Sequence, residues 1–250
     1  MTIAEYIKKE IQNLKQRPAK ERWEYFWDYY KWHTIIFVLV LALLVQGVVG
    51  ICSRKDVVFA GYLLNCKINI KDEDFLQGFY DYAGMESDKE AALYSDLILT
   101  TGYPKNEINT FQRIMAGISV QEADFLVGQD QSFKLCAYST NRMFQDLREF
   151  LDAQTLETFA DRLYYIDGAI LDYLDNSVGV DIDYAQLDYP DPREPETMEK
   201  PIPVGIDISD RESFRSVYYY EDTTLYLGVI VNTAHPDTLK AFLDYLWVED

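Results

Sequence analysis

From Thr34 to Cys52 the chain reads "TIIFVLVLALLVQGVVGIC", nineteen residues with no charge and one strongly polar side chain, Gln46. Nothing else in the sequence narrows the possible folds so far. A helix needs about 20 apolar residues to cross a hydrocarbon core of roughly 30 Å, and a helix buried in a soluble domain normally keeps a polar face. Trp23, Tyr25, Phe26, Trp27, Tyr29, Tyr30 and Trp32 crowd the upstream side, and amphipathic rings prefer the headgroup layer. The pattern predicts a transmembrane helix over residues 34–53, with the lipid bilayer as its partner.

Charge sets the expected orientation. Before Thr34 stand Lys8, Lys9, Lys15, Arg17, Lys20, Arg22 and Lys31 against Glu5, Glu10, Glu21, Glu24 and Asp28. The remainder holds 16 basic and 37 acidic residues, out of 23 and 42 in the whole chain. Basic residues near a span stay cytoplasmic. Residues 1–33 are therefore expected inside as a basic and aromatic juxtamembrane segment, and residues 56–250 outside, on a single-pass protein of the cell membrane. Arg54 and Lys55 oppose this only weakly. A cleaved signal peptide is the competing reading, but its short basic region would directly precede an apolar run of about 7–15 residues, and here the lead is 33 residues long. In "VVGIC" Ile51 stands where a lipoprotein would carry a small residue before Cys52. Ile3, Ile7, Ile11 and Leu14 recur at helical spacing among lysines. That helix either lies on the inner leaflet or simply supplies topogenic charge.

The C-terminal 195 residues suit one domain or two small lobes. Their acidity excludes nucleic acid as a partner, because its phosphates would be repelled. Cys66 and Cys136 sit in apolar segments; they either pair or stay as buried thiols, and free cysteine behaves as a small hydrophobe there. "VVFAGYLLN" (57–65) predicts a first strand. "DEDFLQGFYDYAG" places Phe75, Phe79 and Tyr82 at helical spacing and stops at Gly84. "SDLILTTGY" (95–103) predicts a second strand, and "NEINTFQRIMAG" a helix ending at Gly117. A short apolar strand over 125–127 leads through Gly128 into another helix. "NRMFQDLREFLDAQTLETFADRL" (141–163) reads as amphipathic, with a break near Asp152. Strands alternating with helices predict an α/β fold of βαβ units with parallel strands.

Between Ile166 and Pro203 the composition turns acidic and proline-rich. Asp172, Asp175, Asp181 and Asp183 offer oxygen ligands for calcium, but the spacing of a calcium-binding loop is missing. A solvated acidic excursion is the favoured reading, with no metal. "PVGIDIS" and "LYLGVIVNT" return to strand. "HPDTLKAFLDYLW" predicts a closing helix, with Pro236 in its first turn and Asp237 at its positive end.

"ADFLVGQDQSFKLCAYSTNRMFQDLREFL", "PVGIDIS" and "GVIVNTAHPDTLKAFLDYL" follow one another in an order that resembles type 2 extracellular solute-binding proteins. The resemblance spans roughly Ala123–Trp247. The anchor "YYKWHTI" resembles those of single-pass envelope proteins of Gram-positive bacteria. The resemblance implies a compact, periplasmic-binding-protein-like ectodomain behind the membrane helix. It departs in two ways: the chain is short for a two-lobed binder, and a helix replaces a lipid anchor.

Enzyme chemistry finds no motif. There is no H-E-x-x-H, G-x-S-x-G, phosphate loop or C-x-x-C, no cofactor is implied, and His235, the lone histidine after the span, precedes Pro236 at a helix start. The expected function is a membrane-tethered, extracytoplasmic solute-binding or sensing module serving a transporter. The alternative is a non-catalytic structural or interaction subunit of the cell envelope that kept the fold and lost the ligand. Open α/β sheets bind ligands beyond the carboxyl ends of their strands. The candidate site is therefore Thr100, Thr101 and Tyr103, then Gly128, Gln129 and Asp130, then Asp207, facing a small polar ligand.

Overall fold

The computed structural model describes residues 18–52, 56–68, 73–99, 104–177, 187–221 and 224–248, with isolated positions before Pro18. The chain divides into two units, Met1–Arg54 and Lys55–Asp250. Most of the basic amphipathic stretch around Ile3–Leu14 lies outside the described residues.

The first unit contains helix α1 (Ala19–Cys52), about 50 Å long at 1.5 Å per residue. Ile35 through Leu41 and Leu43 through Val45 are exposed on every side of it. Trp23 and Trp27 are exposed as well, and their rings stack with centroids 6.2 Å apart. Among the described residues no helix is long and apolar enough to cross a membrane. The described side chains of α1 end at Gly47, inside the apolar run.

The second unit is α/β. Its elements run β1 (Asp56–Leu64), β2 (Lys67–Ile68), α2 (Glu73–Ala83), β3 (Lys89–Leu97), α3 (Pro104–Ser119), β4 (Phe125–Gln129), α4 (Asp130–Ala137), α5 (Leu147–Phe150) and α6 (Ala153–Thr158). They continue with β5 (Leu163–Asp167), α7 (Gly168–Asn176), β6 (Pro201–Asp207), α8 (Glu212–Val217), β7 (Tyr218–Tyr219), β8 (Leu225–Val229) and α9 (Pro236–Val248). Six strands form one sheet in the order β3-β1-β4-β8-β6-β5, and β2 and β7 form a separate ribbon. β3, β1 and β4 are parallel, β8 is antiparallel to both β4 and β6, and β5 is antiparallel to β6. The sheet is thus mixed: β3, β1 and β4 have the parallel pairing expected of βαβ units, and β8, β6 and β5 add antiparallel pairs. Among the described residues there is one large sheet.

The alternation of strand side chains divides the core in two. Phe125 and Val127 join Phe59, Phe75, Phe79 and Phe242 under α2 and α9. Leu126 joins Leu64, Ile114, Ile118 and Phe133 under α3 and α4. The first half is largely aromatic: the Phe59 ring lies 5.2–5.4 Å from those of Phe79, Phe125 and Phe242, a spacing that adds attraction beyond simple burial. Gly84 has φ +63°, the left-handed turn that ends α2 where the sequence placed its stop.

Gly117 serves another purpose. α3 continues past it to Ser119, and a Cβ at Gly117 would stand 1.8 Å from the Tyr62 hydroxyl. The glycine makes room for a buried tyrosine. The second strand also differs from expectation, forming over Lys89–Leu97. It is a half-covered edge strand and shows no clean alternation. The stretch 141–163 is broken into α5 and α6, each opened by an aspartate. Asp146 accepts the Arg148 N–H, and Asp152 accepts those of Gln154 and Thr155. The acidic region begins with unforeseen regular structure, the end of β5 and α7. Asp167 links them to the return strand by accepting N–H groups from Ala169, Glu199 and Lys200, each at 2.9 Å.

Candidate functional site

After β1 the chain passes to β3 on one side, then crosses back to β4 on the other, with α2 and α3 on opposite faces. Neighbouring strands whose connections leave in opposite directions open a crevice at their carboxyl ends. A cavity of about 400 Å³ lies at that point. Asn65, Cys66 and Lys67 after β1, Ile98 and Leu99 after β3, Gln129 at the end of β4, Gln131, Ser132 and Leu135 of α4, and Glu221 line it.

Several of these groups are committed to the fold. Asn65 takes φ 57°, and its carboxamide donates to Leu99 O at 2.9 Å and accepts from Leu99 N at 2.8 Å. That bridge ties the ends of β1 and β3 together. Ser132 Oγ donates to Gln129 O. Cys66 is buried, and burial pushes its thiol up to about 11, against a smaller lowering by the Tyr220 hydroxyl. Cys136 lies wholly inside the second half of the core, its thiol pushed up to about 12 by burial. Both thiols are free and buried, so of the two readings open in the sequence the pairing of Cys66 with Cys136 is the one not found.

Other groups are available to a ligand. Gln129 is half-buried and Gln131 exposed. Lys67 and Glu221 face each other with Nζ and Oε1 2.5 Å apart, and both side chains are largely solvent-exposed. The β2–β7 ribbon, pairing Lys67 with Tyr219 and Ile68 with Tyr218, brings them together.

The expected site residues separate. Gln129 lines the cavity. Gly128 is buried beneath it, and a Cβ there would stand 3.1 Å from Ser132 Oγ. Asp207 reaches the same edge of the sheet two strands away, opposite Tyr226 of β8. Its carboxylate accepts from Arg193 Nη2 at 2.5 Å and from Ser209 N at 2.8 Å, and also from the Ser209 hydroxyl. Asp130 opens α4 and does not line the cavity. Burial, more than any charge, raises the Tyr226 hydroxyl; Arg193 opposes the rise, while Asp207 and Asp130 add to it. Asp130 and Asp207 therefore share the Tyr226 neighbourhood, apart from the cavity. Thr100, Thr101 and Tyr103 lie outside the described residues. Of the aspartates considered for calcium, Asp172 pairs with Arg142 and Lys200, and Asp175 with Arg142. Asp181 and Asp183 lie outside the described residues, and among those described no group of three or more His, Cys, Asp or Glu could hold a metal.

At the opposite end of β4 stands a cluster with no signature in the sequence. Asp124 is fully buried. It accepts from Ala60 N at 2.8 Å and Thr233 Oγ1 at 2.5 Å, and His235 Nδ1 lies 3.1 Å from its Oδ1. His235 also caps α9, its carbonyl accepting from Leu239 N. A buried carboxylate holding an imidazole by Nδ1 occurs in catalytic sites. Here the same bonds fasten β1, β4 and the start of α9. No family model, curated protein or solved structure matches the chain.

Proposed function

We propose that the protein is a membrane-tethered, extracytoplasmic solute-binding or sensing module that serves a transporter. The observation that carries the binding reading is the cavity of about 400 Å³ beyond the carboxyl ends of β1, β3 and β4, where open α/β sheets hold ligands. Tethering draws support from α1, whose apolar side chains are exposed all round; water leaves such a helix only a membrane or a protein interior. The basic lead before Thr34 and the acidic remainder favour an outside location for residues 56–250.

Thermal unfolding of the full-length protein in detergent tests the binding reading against sugars, amino acids, peptides and inorganic ions. A solute at 100 times its Kd should stabilise the protein by about 2.7 kcal/mol, and Gln129→Ala should reduce that shift. Protease added to intact protoplasts should digest residues 56–250 and spare the N-terminal segment; protection of the C-terminal unit would reverse the topology. The interaction-subunit reading is favoured by exposed apolar side chains on the cavity wall and the ribbon: Ile98, Ile68 and Tyr219. Absence of any solute-induced shift, together with a co-purifying membrane protein lost on Ile98→Asp, would establish it instead.

A further inference from the structure

Among the described residues, the charged side chains lining the cavity are Lys67 and Glu221, one of each sign, bonded to each other across its wall. From this we infer that the site takes a zwitterion, an α-amino acid or a compound with the same paired ammonium and carboxylate. The inference rests on the reading of the cavity as a solute site and specifies its ligand.

An anion settling on Lys67 would strip Glu221 of its partner and face its charge. A cation on Glu221 would do the same to Lys67. A neutral solute would have to leave the pair joined or separate it with no replacement for either charge. A zwitterion exchanges one ion pair for two: its carboxylate meets the Lys67 ammonium and its ammonium meets the Glu221 carboxylate. The exchange is easy because a solvent-exposed pair is held only weakly. The carboxamides of Gln129 and Gln131 each present a donor and an acceptor beside the pair, and Ile98 and Leu135 supply apolar wall for a side chain. The pair joins residues 154 positions apart. Lys67 stands in β2 and Glu221 two residues beyond β7, so a ligand that separates them also acts on the ribbon that borders the site.

Isothermal titration of the full-length protein in detergent tests this. The probes are the common L-amino acids, then the deaminated acid and the decarboxylated amine of whichever binds tightest, with glucose, phosphate and putrescine as solutes lacking paired charges. The expected result is binding of an amino acid with at least tenfold loss for either single-charge analogue. Lys67→Met and Glu221→Gln should each weaken the parent at least tenfold, and in Lys67→Met the decarboxylated amine should bind as well as the parent. Both side chains are exposed, so both variants should unfold at the wild-type temperature, which separates lost binding from lost folding. Binding of glucose, phosphate or putrescine in preference to every amino acid, abolished by Gln129→Ala, would overturn the zwitterion and leave the solute site standing. Equal binding of an amino acid and its single-charge analogues would do the same. Failure of every probe would remove the solute site as well.

Discussion

The two ends of β4 use polar groups in opposite ways. At its amino end Asp124 is sealed from water, and its carboxylate is bound by a backbone N–H, a hydroxyl and an imidazole. At its carboxyl end Gln129 and Gln131 border a cavity, and the charged side chains that line it among the described residues form a pair open to solvent. A buried polar group is useful to a fold only when its hydrogen bonds are complete. A binding site needs groups that the fold has not already satisfied. One strand thus separates holding the sheet together from meeting a ligand.

The sharpest way to break this contrast is Asp124→Ala. The substitution leaves the Ala60 N–H and the Thr233 hydroxyl without an acceptor in a buried site and cuts His235 loose. Each abandoned donor costs about 1–3 kcal/mol, so denaturant unfolding should register a loss of about 3 kcal/mol or more. Asp124→Asn, which keeps an acceptor, should lose less. A loss near zero would mean that the cluster is not structural, and would reopen a functional role for His235.

Asp167→Ala comes next. It removes the acceptor for three backbone N–H groups where β5 turns into α7, and a lost cap of this kind costs about 1–2 kcal/mol. Its pH dependence has a defined sign. Burial pushes the Asp167 carboxyl up, but the N–H groups of Ala169, Glu199 and Lys200, with the Lys200 charge, together hold it below the ordinary value. Protons therefore bind the unfolded chain more readily. The stabilisation is complete above the ordinary aspartate value of about 4 and is lost as pH falls through the lower folded value. Wild-type stability should accordingly fall more steeply than that of Asp167→Ala as pH drops below about 5. Parallel curves would assign Asp167 no such role. The smallest effect belongs to the other end of the strand: Lys67→Met and Glu221→Gln should leave the unfolding midpoint where it is.

What could be read from the sequence follows how local each cause is. Phe75, Phe79 and Gly84 announce α2 because periodicity and stop lie within one segment. The second strand is expected over 95–103 but forms over Lys89–Leu97, because the β-branched and apolar residues of "SDLILTTGY" resemble a strand more than "KEAALYSDL" does. An edge strand packed on one side has no strict pattern to display. In that stretch Leu99 is buried through its bridge to Asn65 while Ile98 stays exposed. Gln129 was legible, because a short apolar strand followed by a glycine and a helix marks a strand end. Lys67 and Glu221 were not, since a ribbon of two residues on each side joins segments 154 positions apart. Asp124 looked like one acid among many, and only the packing of β1 against the loop before α9 makes it a buried carboxylate.

Hydrogen–deuterium exchange on the full-length protein, with and without the solute that most raises its unfolding temperature, compares both ends of β4 in one experiment. Slowed exchange should be confined to residues 65–68, 129–135 and 218–221, with residues 60, 124 and 230–239 unchanged. Protection around Asp124 and His235 with none beside Gln129, or no change at either end with any solute, would contradict the assignment of binding to the carboxyl edge.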